Sequence, residues 1–251
     1  MILLKTVDLR KHFGNTRAVD GVSYTVNEGE LLSLVGSNGA GKTTLVNLIS
    51  GHLQPDSGAI LFEDRDITRA AVAQRIRAGI ARSFQIVNIF DGLSVYDNVA
   101  LSVFSREGKT ANLATLADHD EEVREETSQV LGQFSLASKS EVLAGGLAQG
   151  ERKLLDVAVA YALRPKLLFL DEPTSGVSTR DKAQIMNTVS SVVRSGKVTA
   201  VIIEHDMDVV FKYSDRIAMM HEGSLLAEGS PEDIRANKDV ASILLGAPMG
   251  S

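Results

Sequence analysis

The segment Gly36-Ser-Asn-Gly-Ala-Gly-Lys-Thr43 constrains the fold more than any other part of the sequence. It follows the apolar run Leu31–Val35 and precedes Thr44–Ser50, which predicts a buried strand, a glycine-rich turn and a helix. The pattern G-x-x-x-x-G-K-T at such a junction is typical of a phosphate-binding loop. A plain glycine turn is the alternative, but a Lys-Thr pair directly after the last glycine favours phosphate. The sequence therefore predicts that the chain binds a nucleoside triphosphate.

The chemistry of the loop assigns roles to its members. Glycines let successive backbone N–H groups surround phosphate oxygens, and the positive end of the following helix adds to the attraction. Lys42 can reach the β- and γ-phosphates, and the Thr43 hydroxyl can bind Mg²⁺. The predicted nucleotide-binding residues in this segment are Gly36, Ser37, Asn38, Gly39, Ala40, Gly41, Lys42, Thr43 and Thr44.

Composition narrows the class of protein. The 251 residues suit one α/β domain with room for a smaller lobe. A net charge of -6 disfavours a non-specific nucleic-acid binder, and the absence of cysteine excludes disulfides, thiolate metal sites and a cysteine nucleophile. No apolar run reaches the roughly 18 residues that span a bilayer. Met1–Asp8 predicts a first strand and not a signal peptide, so we expect a cytosolic protein that can lie against a membrane protein.

A second strong feature is the apolar strand predicted at Lys166–Leu170, which ends in Asp171-Glu172-Pro173. Ligands of parallel sheets gather at the carboxyl ends of the strands. Successive side chains on a strand point to opposite faces, so the two acids can have separate tasks. We expect Asp171 to face Mg²⁺ beside Thr43, and Glu172 to face the γ-phosphate and orient an attacking water. The alternative is an ordinary helix cap after a strand.

Three more residues are candidates by position. Gln85 follows the predicted strand Ile80–Phe84, and His205 follows the predicted strand Val198–Ile203. Taken alone, Gln85 and His205 are each typical of a surface or cap residue. Together with Asp171, their positions at strand ends predict a cluster at one sheet edge. Phe13 lies in a predicted loop between two short antiparallel strands. Its position fits a stacked base and a core-edge aromatic equally well.

The predicted fold is α/β: a P-loop NTPase core with a mostly parallel sheet, an antiparallel β edge subdomain and an inserted helical lobe. The antiparallel strands are predicted at residues 3–9 and 22–26. Residues 91–164 interrupt the alternation of strands and helices with three predicted helices, the first of them capped by Ser94. We therefore expect one domain over residues 1–251, with a core at 1–90 and 165–251 and a helical lobe at 91–164.

These motifs, in this order, resemble those of the ATP-binding subunit of ABC transporters, from about residue 3 to residue 246. The resemblance identifies the phosphate loop as the Walker A motif and Leu167–Asp171 as the Walker B motif. It implies that Glu172 is the catalytic carboxylate and His205 the switch histidine. It also makes Gln85 the Q-loop residue, which touches Mg²⁺ and reports to the membrane subunit.

The resemblance also specifies the cofactors, which are ATP and Mg²⁺. It implies Thr43, Gln85 and Asp171 as metal ligands. Phe13 falls where the family has the aromatic residue that stacks on adenine, and Val19 is assigned to the same nucleotide site.

The segment Leu147-Ala-Gln-Gly-Glu151 lies where the family has its signature, usually L-S-G-G-Q. In the family this segment contacts the γ-phosphate held by the opposite subunit, so the nucleotide site extends to Leu147, Ala148, Gln149, Gly150 and Glu151. Ala148 has no hydroxyl, and Ser178 replaces the usual aspartate of the D-loop. We expect these departures to alter the closed dimer and the hydrolysis rate, but not ATP binding.

Within the family, Phe13-Gly14, Arg82–Gln85 and Ile203–Met207 are similar to the branched-chain amino-acid importer group. The resemblance implies a second ATP-binding subunit, identical or related, and integral-membrane permease subunits that dock on the helical lobe. It implies a substrate-binding protein as an indirect partner, no nucleic acid, and a peripheral position on the inner face of the cell membrane. The cargo is chosen by other subunits.

Two rival functions come from other classes. A soluble ABC-type ATPase that drives a protein assembly would share every motif. A P-loop kinase would share the phosphate loop but leaves Leu147–Glu151, His205 and Gln85 unexplained. A DNA-repair ATPase of the ABC type is disfavoured because no long heptad region interrupts the chain.

Overall fold

A computed structural model describes residues 1–83, 89–107, 121–195 and 198–244. The chain forms two compact units. The first comprises Met1–Ala78 together with the described residues from Thr199 onward, and the second comprises Gly79–Val198. The predicted division into a core and a helical lobe at residues 91–164 stays a prediction.

The described part of the chain contains both strands and helices. The strands are β1 (Ile2–Phe13), β2 (Thr16–Asn27), β3 (Leu31–Val35), β4 (Ser57–Phe62), β5 (Arg65–Asp66), β6 (Ile80–Arg82), β7 (Leu167–Asp171), β8 (Thr199–Ile203), β9 (Arg216–His221) and β10 (Ser224–Gly229). The helices are α1 (Lys42–Ser50), α2 (Val72–Ala78), α3 (Val95–Arg106), α4 (Glu121–Gln133), α5 (Gln149–Ala162), α6 (Thr179–Arg194), α7 (Met207–Tyr213), α8 (Pro231–Ala236) and α9 (Lys238–Leu244). No helix within these described ranges has both the length and the apolar character needed to cross a bilayer.

An antiparallel sheet in the first unit has the strand order β2-β1-β4-β5. The predicted antiparallel pairing of the first two strands is confirmed, but the prediction of a loop from Arg10 was wrong. The two strands continue to a tight turn, with Arg10 opposite Asp20 and Phe13 opposite Thr16. Arg10 Nη1 lies 2.5 Å from Asp20 Oδ1, and an oppositely charged cross-strand pair of this kind favours continued pairing.

A second set of strands in the first unit has the order β10-β9-β3-β8, with β3 parallel to both of its neighbours. Every residue of β3 and β8 is buried, which explains why both read as nearly continuous apolar runs. Helices α7, α8 and α9 pack near this sheet around a shared apolar cluster. Its buried members are Val35, Val210, Ile217, Met219, Ile234 and Val240.

The second unit contains the parallel pair β6 and β7, in register at Arg82 and Phe169, together with α3 to α6. The predicted cap of α3 is confirmed. Ser94 Oγ accepts a hydrogen bond from Asp97 N at 3.0 Å, and Asp97 Oδ2 accepts one from Ser94 N at 3.3 Å. Such a reciprocal box satisfies N–H groups that the helix itself leaves unpaired.

Candidate nucleotide site

The phosphate loop is held in a shape that only glycine can adopt at two of its positions. Gly36 and Gly41 have φ angles of 148° and 98°. A β-carbon at Gly36 would lie 2.3 Å from the Met220 carbonyl oxygen, and one at Gly41 would lie 2.1 Å from the Ala18 carbonyl oxygen. Any side chain at either position would therefore force the loop away from β2 or β9.

A cation and a helix end converge on this loop. Lys42 Nζ donates to the carbonyl oxygen of Gly36 at 2.6 Å and to that of Ser37 at 3.0 Å. Helix α1 begins at Lys42, its N-cap is Gly41, and its first turn contains no acidic residue. Gly41 has no side chain that could cap the first-turn N–H groups, so the positive helix end is suited to an anion.

His205 lies at the same sheet edge as the phosphate loop. Strands β3 and β8 are parallel, with Leu34 opposite Ile203, and the chain reaches Gly36 and His205 two residues beyond those positions. His205 is exposed, whereas the preceding Glu204 is buried. This register puts His205 near the phosphate loop within the first unit, whereas the predicted cluster with Asp171 and Gln85 and the chemical role of His205 stay predictions.

The two predicted acids follow β7 in the second unit. Asp171 is buried, and its Oδ2 accepts a hydrogen bond from Arg82 Nη2 at 2.7 Å. Glu172 is partly buried and has a φ angle of 49°, in the left-handed region that costs an ordinary residue about 1–2 kcal/mol. Six other non-glycine residues of the described chain also have a positive φ, so this strain supports a functional position only together with the place of Glu172 directly after β7.

Lys153 on α5 is one of the groups that hold this strained turn. Its Nζ donates to the Glu172 carbonyl oxygen at 3.1 Å and to Ser175 Oγ at 3.2 Å, and its side chain is buried. Sequence reasoning missed Lys153 and Arg82. Lys153 could have been found from its helical spacing to Gly150 and Val157, which are buried. That spacing puts the lysine on the inward face of the helix.

The predicted signature segment forms the start of α5. Helix α5 begins at Gln149, and Glu151 Oε2 accepts a hydrogen bond from Ala148 N at 3.0 Å. Ala148 has no oxygen to complete the reciprocal cap. A β-carbon at Gly150 would lie 3.0 Å from Asp181 Cβ, so the glycine allows this helix end to approach α6. Ser178 caps α6 by accepting a hydrogen bond from Asp181 N at 3.2 Å.

Three other predicted site residues have different surroundings. Phe13 is exposed at the end of β1, with Lys11 Nζ 5.7 Å from the centre of its ring. Val19 is fully buried in β2, so it can support the site through its backbone neighbours more readily than through its side chain. Gln85 lies outside the described residues.

The chemical groups of the predicted site are of the types that bind a nucleotide and Mg²⁺. The phosphate loop is exposed at Ser37, Asn38 and Gly39. No group of three or more His, Cys, Asp or Glu side chains among the described residues could form a metal cage. Proteins commonly hold Mg²⁺ with one or two oxygen ligands while the substrate phosphates supply others. The Thr43 hydroxyl in the first unit and the Asp171 carboxylate in the second unit are each an oxygen donor of that type, and their joint role as metal ligands stays a prediction.

A phosphate loop between a buried parallel strand and a helix, on an α/β scaffold, defines a P-loop nucleotide-binding protein. The family model described as "ABC transporter" matches residues 19–175. The chain belongs to the ABC transporter family and is one of its ATP-binding, ATP-hydrolysing subunits.

Similar proteins share nearly the full length of the chain. A probable branched-chain amino acid transport ATP-binding protein LivG of Methanocaldococcus jannaschii is 32% identical, over 98% of this chain and 98% of that protein. The high-affinity branched-chain amino acid transport ATP-binding protein BraF of Pseudomonas aeruginosa is 33% identical, over 97% and 98%.

Solved structures agree with the predicted fold class. The ADP conformation of MJ1267, an ATP-binding cassette of an ABC transporter, has a TM-score of 0.87 and 31% identity, covering 98% of this chain and 99% of that one. A nucleotide-free ATP-binding cassette of an ABC transporter has a TM-score of 0.85 and 30% identity, covering 100% of both chains. The predicted α/β fold, with parallel and antiparallel sheets, is therefore confirmed.

Proposed function

We propose that this ATPase powers a membrane ABC transporter that imports branched-chain or other amino acids. The observation that carries the proposal is the phosphate loop at Gly36–Thr43 in a chain similar, over nearly its whole length, to branched-chain amino acid transport ATP-binding proteins. The phosphate loop supports the proposed ATP site. The similarity to these transport proteins supports the proposed transport process and cargo class.

Binding of ATP is assigned to the first unit. The N–H groups of Gly36–Thr43 and Thr44 surround the phosphates, Lys42 neutralises the β- and γ-phosphates, and Phe13 stacks on the base. Thr43, Gln85 and Asp171 are the proposed ligands of Mg²⁺. When bound, Mg²⁺ supplies neutralisation of phosphate charge during phosphoryl transfer.

Hydrolysis is assigned to Glu172. Its carboxylate orients a water that attacks the γ-phosphorus, the bond to the bridging oxygen of ADP breaks, and ADP and phosphate are the products. The left-handed backbone at Glu172, with its carbonyl oxygen bonded by Lys153, fixes the turn from which this carboxylate extends. His205 braces the γ-phosphate. Positioning and charge account for most of the catalysis in this reaction class.

The working form is a dimer with an identical or related ATP-binding subunit. The segment Leu147–Glu151 of one subunit would close over the nucleotide held by the other. The N-terminal end of α5 provides backbone N–H groups for that contact, but Ala148 provides no hydroxyl. The Glu151 carboxylate, bonded to Ala148 N, adds negative charge at the same helix end. A single subunit should therefore bind ATP and hydrolyse it slowly.

The membrane partners are integral-membrane permease subunits, and a substrate-binding protein that delivers cargo to them is an indirect partner. The second unit offers an apolar surface for this contact, because Phe90, Val142 and Leu143 are exposed. Exposed apolar side chains of this kind mark interaction sites, and here exposed Asp91 and Glu141 flank them in the chain. We place the protein at the cytoplasmic face of the cell membrane, without a nucleic-acid partner.

The first prediction tests the assigned chemistry. Glu172→Gln should retain ATP affinity within about threefold and lower turnover by about 100-fold or more, because the amide no longer polarises water but remains the same size. Isothermal titration with ATP and a phosphate-release assay give the two values. Lys42→Ala is the comparison and should lose ATP affinity itself. Normal turnover in Glu172→Gln, or unchanged affinity in Lys42→Ala, would contradict these roles.

The transport role is tested by isolating the tagged full chain from membranes of its own host. An integral-membrane permease that co-purifies with it is the expected result. Recovery with a soluble assembly and no permease would replace the importer by an ATPase that drives a protein complex.

A further inference from the structure

A buried ion pair engages the proposed magnesium ligand Asp171. Arg82 is the last residue of β6 and Asp171 is the last residue of β7, and the two strands are parallel neighbours in the second unit. Arg82 Nη2 lies 2.7 Å from Asp171 Oδ2, and the two side chains are only 8% and 5% exposed. The carboxylate proposed to bind Mg²⁺ thus has one of its two oxygens bonded to a cation of the protein.

The physical consequence is competition between two cations. A buried carboxylate without a counter-charge is strongly unfavourable, so Arg82 stabilises the ionised Asp171 when no metal is bound. The same guanidinium occupies lone pairs of Oδ2 and repels an approaching dication, since Coulomb interactions are strong in a site shielded from water. Both effects reduce the affinity of Asp171 for a metal ion.

We propose that Arg82 is a positioning residue that holds Asp171 in the metal-free protein and competes with Mg²⁺ for it. The inference rests on the proposed role of Asp171 as a magnesium ligand. Arg82 makes metal binding at Asp171 weak in isolation, so that the metal binds effectively only together with the phosphates of the nucleotide.

A purely structural role for Arg82 makes a different prediction. The backbone already joins β6 to β7, because Ser83 N donates to the Phe169 carbonyl oxygen at 2.8 Å and Ile80 pairs with Leu167. If Arg82 only strengthened this pairing, its loss would lower the free energy of unfolding and leave the metal affinity of the folded molecule unchanged.

The experiment measures how much Mg²⁺ strengthens nucleotide binding. Affinity of the full chain for a non-hydrolysable ATP analogue is determined in Mg²⁺ buffer and in EDTA, and the ratio of the two values reports metal coupling. Arg82→Met should raise this ratio by about tenfold, because the competing charge is gone. Arg82→Lys, which keeps the charge, should stay within about threefold of the wild type.

A second uncharged variant, Arg82→Gln, gives the same information if Arg82→Met does not fold, and its ratio should also rise. Thermal unfolding of each variant identifies the folded preparations. A ratio that is unchanged or lower in a folded uncharged variant would overturn the proposal.

Asp171→Asn separates this proposal from the function on which it rests. In the Asp171→Asn background, the effect of Arg82→Met on the ratio should disappear, because the residue through which Arg82 acts has lost its charge. An unchanged ratio in Asp171→Asn alone would instead show that Asp171 is not a metal ligand. A full Arg82 effect that persists without the Asp171 carboxylate would overturn the competition.

Discussion

At the scale of single residues, the buried Arg75 on α2 binds the end of the nucleotide-binding helix α1. It is fully buried in α2 and donates to the carbonyl oxygens of Leu48 and Ile49 at 2.6 Å, in the last turn of α1. Its other donors reach Thr68 and Ala70 carbonyl oxygens at 3.0 Å. Burial lowers the pKa of Arg75 from its ordinary value. This guanidinium adds a donor to carbonyl groups at a helix end, where backbone partners are few; the Leu48 carbonyl also accepts from Gly51 N at 3.3 Å.

The second prediction follows from this cap. Arg75→Met should lower the free energy of unfolding by about 2–4 kcal/mol, because four buried or partly buried carbonyl groups each lose a donor at once. The measurement is urea unfolding followed by circular dichroism. Arg77→Met on the same helix is the matched control, since Arg77 is exposed and should shift stability by less than about 0.5 kcal/mol. Equal effects of the two substitutions would contradict the assigned role.

At the scale of elements, Glu126 joins α3, α4 and the turn after α5. Its carboxylate receives hydrogen bonds from Arg106 at 2.5 and 2.7 Å and from Arg164 at 2.9 Å. Arg106 also donates to the Ala162 carbonyl oxygen at 2.9 Å. Burial by itself raises the pKa of Glu126, but the hydrogen bonds and charges of Arg106 and Arg164 outweigh it and hold the pKa below its ordinary value.

The third prediction is a pH dependence. A folded-state pKa below the unfolded one contributes stability above the unfolded pKa of about 4.3, and that contribution is lost as pH falls through the folded pKa. Glu126→Gln should therefore destabilise the protein by about 1–3 kcal/mol at pH 7, and the difference from the wild type should shrink below about pH 4.

Denaturant unfolding of both proteins from pH 7 to pH 3 tests this. Glu125→Gln serves as the control, because Glu125 is the exposed neighbour on the same helix and should show no such difference. A Glu126→Gln difference that stays constant with pH would show that the ion pairs do not contribute in this way.

At the scale of the whole molecule, the second unit displays an apolar surface on a fixed backbone. Phe90 is 62% exposed and Leu143 is 57% exposed. Asn98 fixes the Phe90 backbone, accepting from Phe90 N at 2.7 Å and donating to Phe90 O at 3.1 Å. The segment at Val142 is bonded to the start of α3 through Val95 N at 2.9 Å. Exposed apolar side chains on a backbone held by hydrogen bonds are suited to an interface with a partner protein.

The fourth prediction assigns this surface to the permease. The double substitution Phe90→Ser and Leu143→Ser should leave ATP affinity and the melting temperature nearly unchanged, because neither side chain is buried in the chain itself. It should reduce permease recovery from membranes by about tenfold, as expected for removal of interface anchors. A serine at exposed Ile76, in the first unit, is the control and should leave recovery intact. Full recovery with the double variant would exclude this docking surface.

Much of this protein follows from short stretches of its sequence. The phosphate loop, the buried strands β3, β7 and β8 and the cap at Ser94 depend on residues close together in the chain, so their patterns predict them. The antiparallel pair was predicted too short, because the charged stretch from Arg10 resembles a loop until Asp20 faces it across the sheet. A prediction from local strand propensity could not take into account that Asp20 lies opposite Arg10.

The sequence by itself determined the nucleotide class, because a glycine-rich loop needs only its own backbone and the helix that follows to bind phosphate. Tertiary structure alone decided that Arg82 lies on Asp171, that Lys153 holds the Glu172 turn and that Arg75 caps α1. Each of these contacts joins residues distant in the chain. The partner of a buried charge is set by how strands and helices pack, and the energy of that charge depends on the partner.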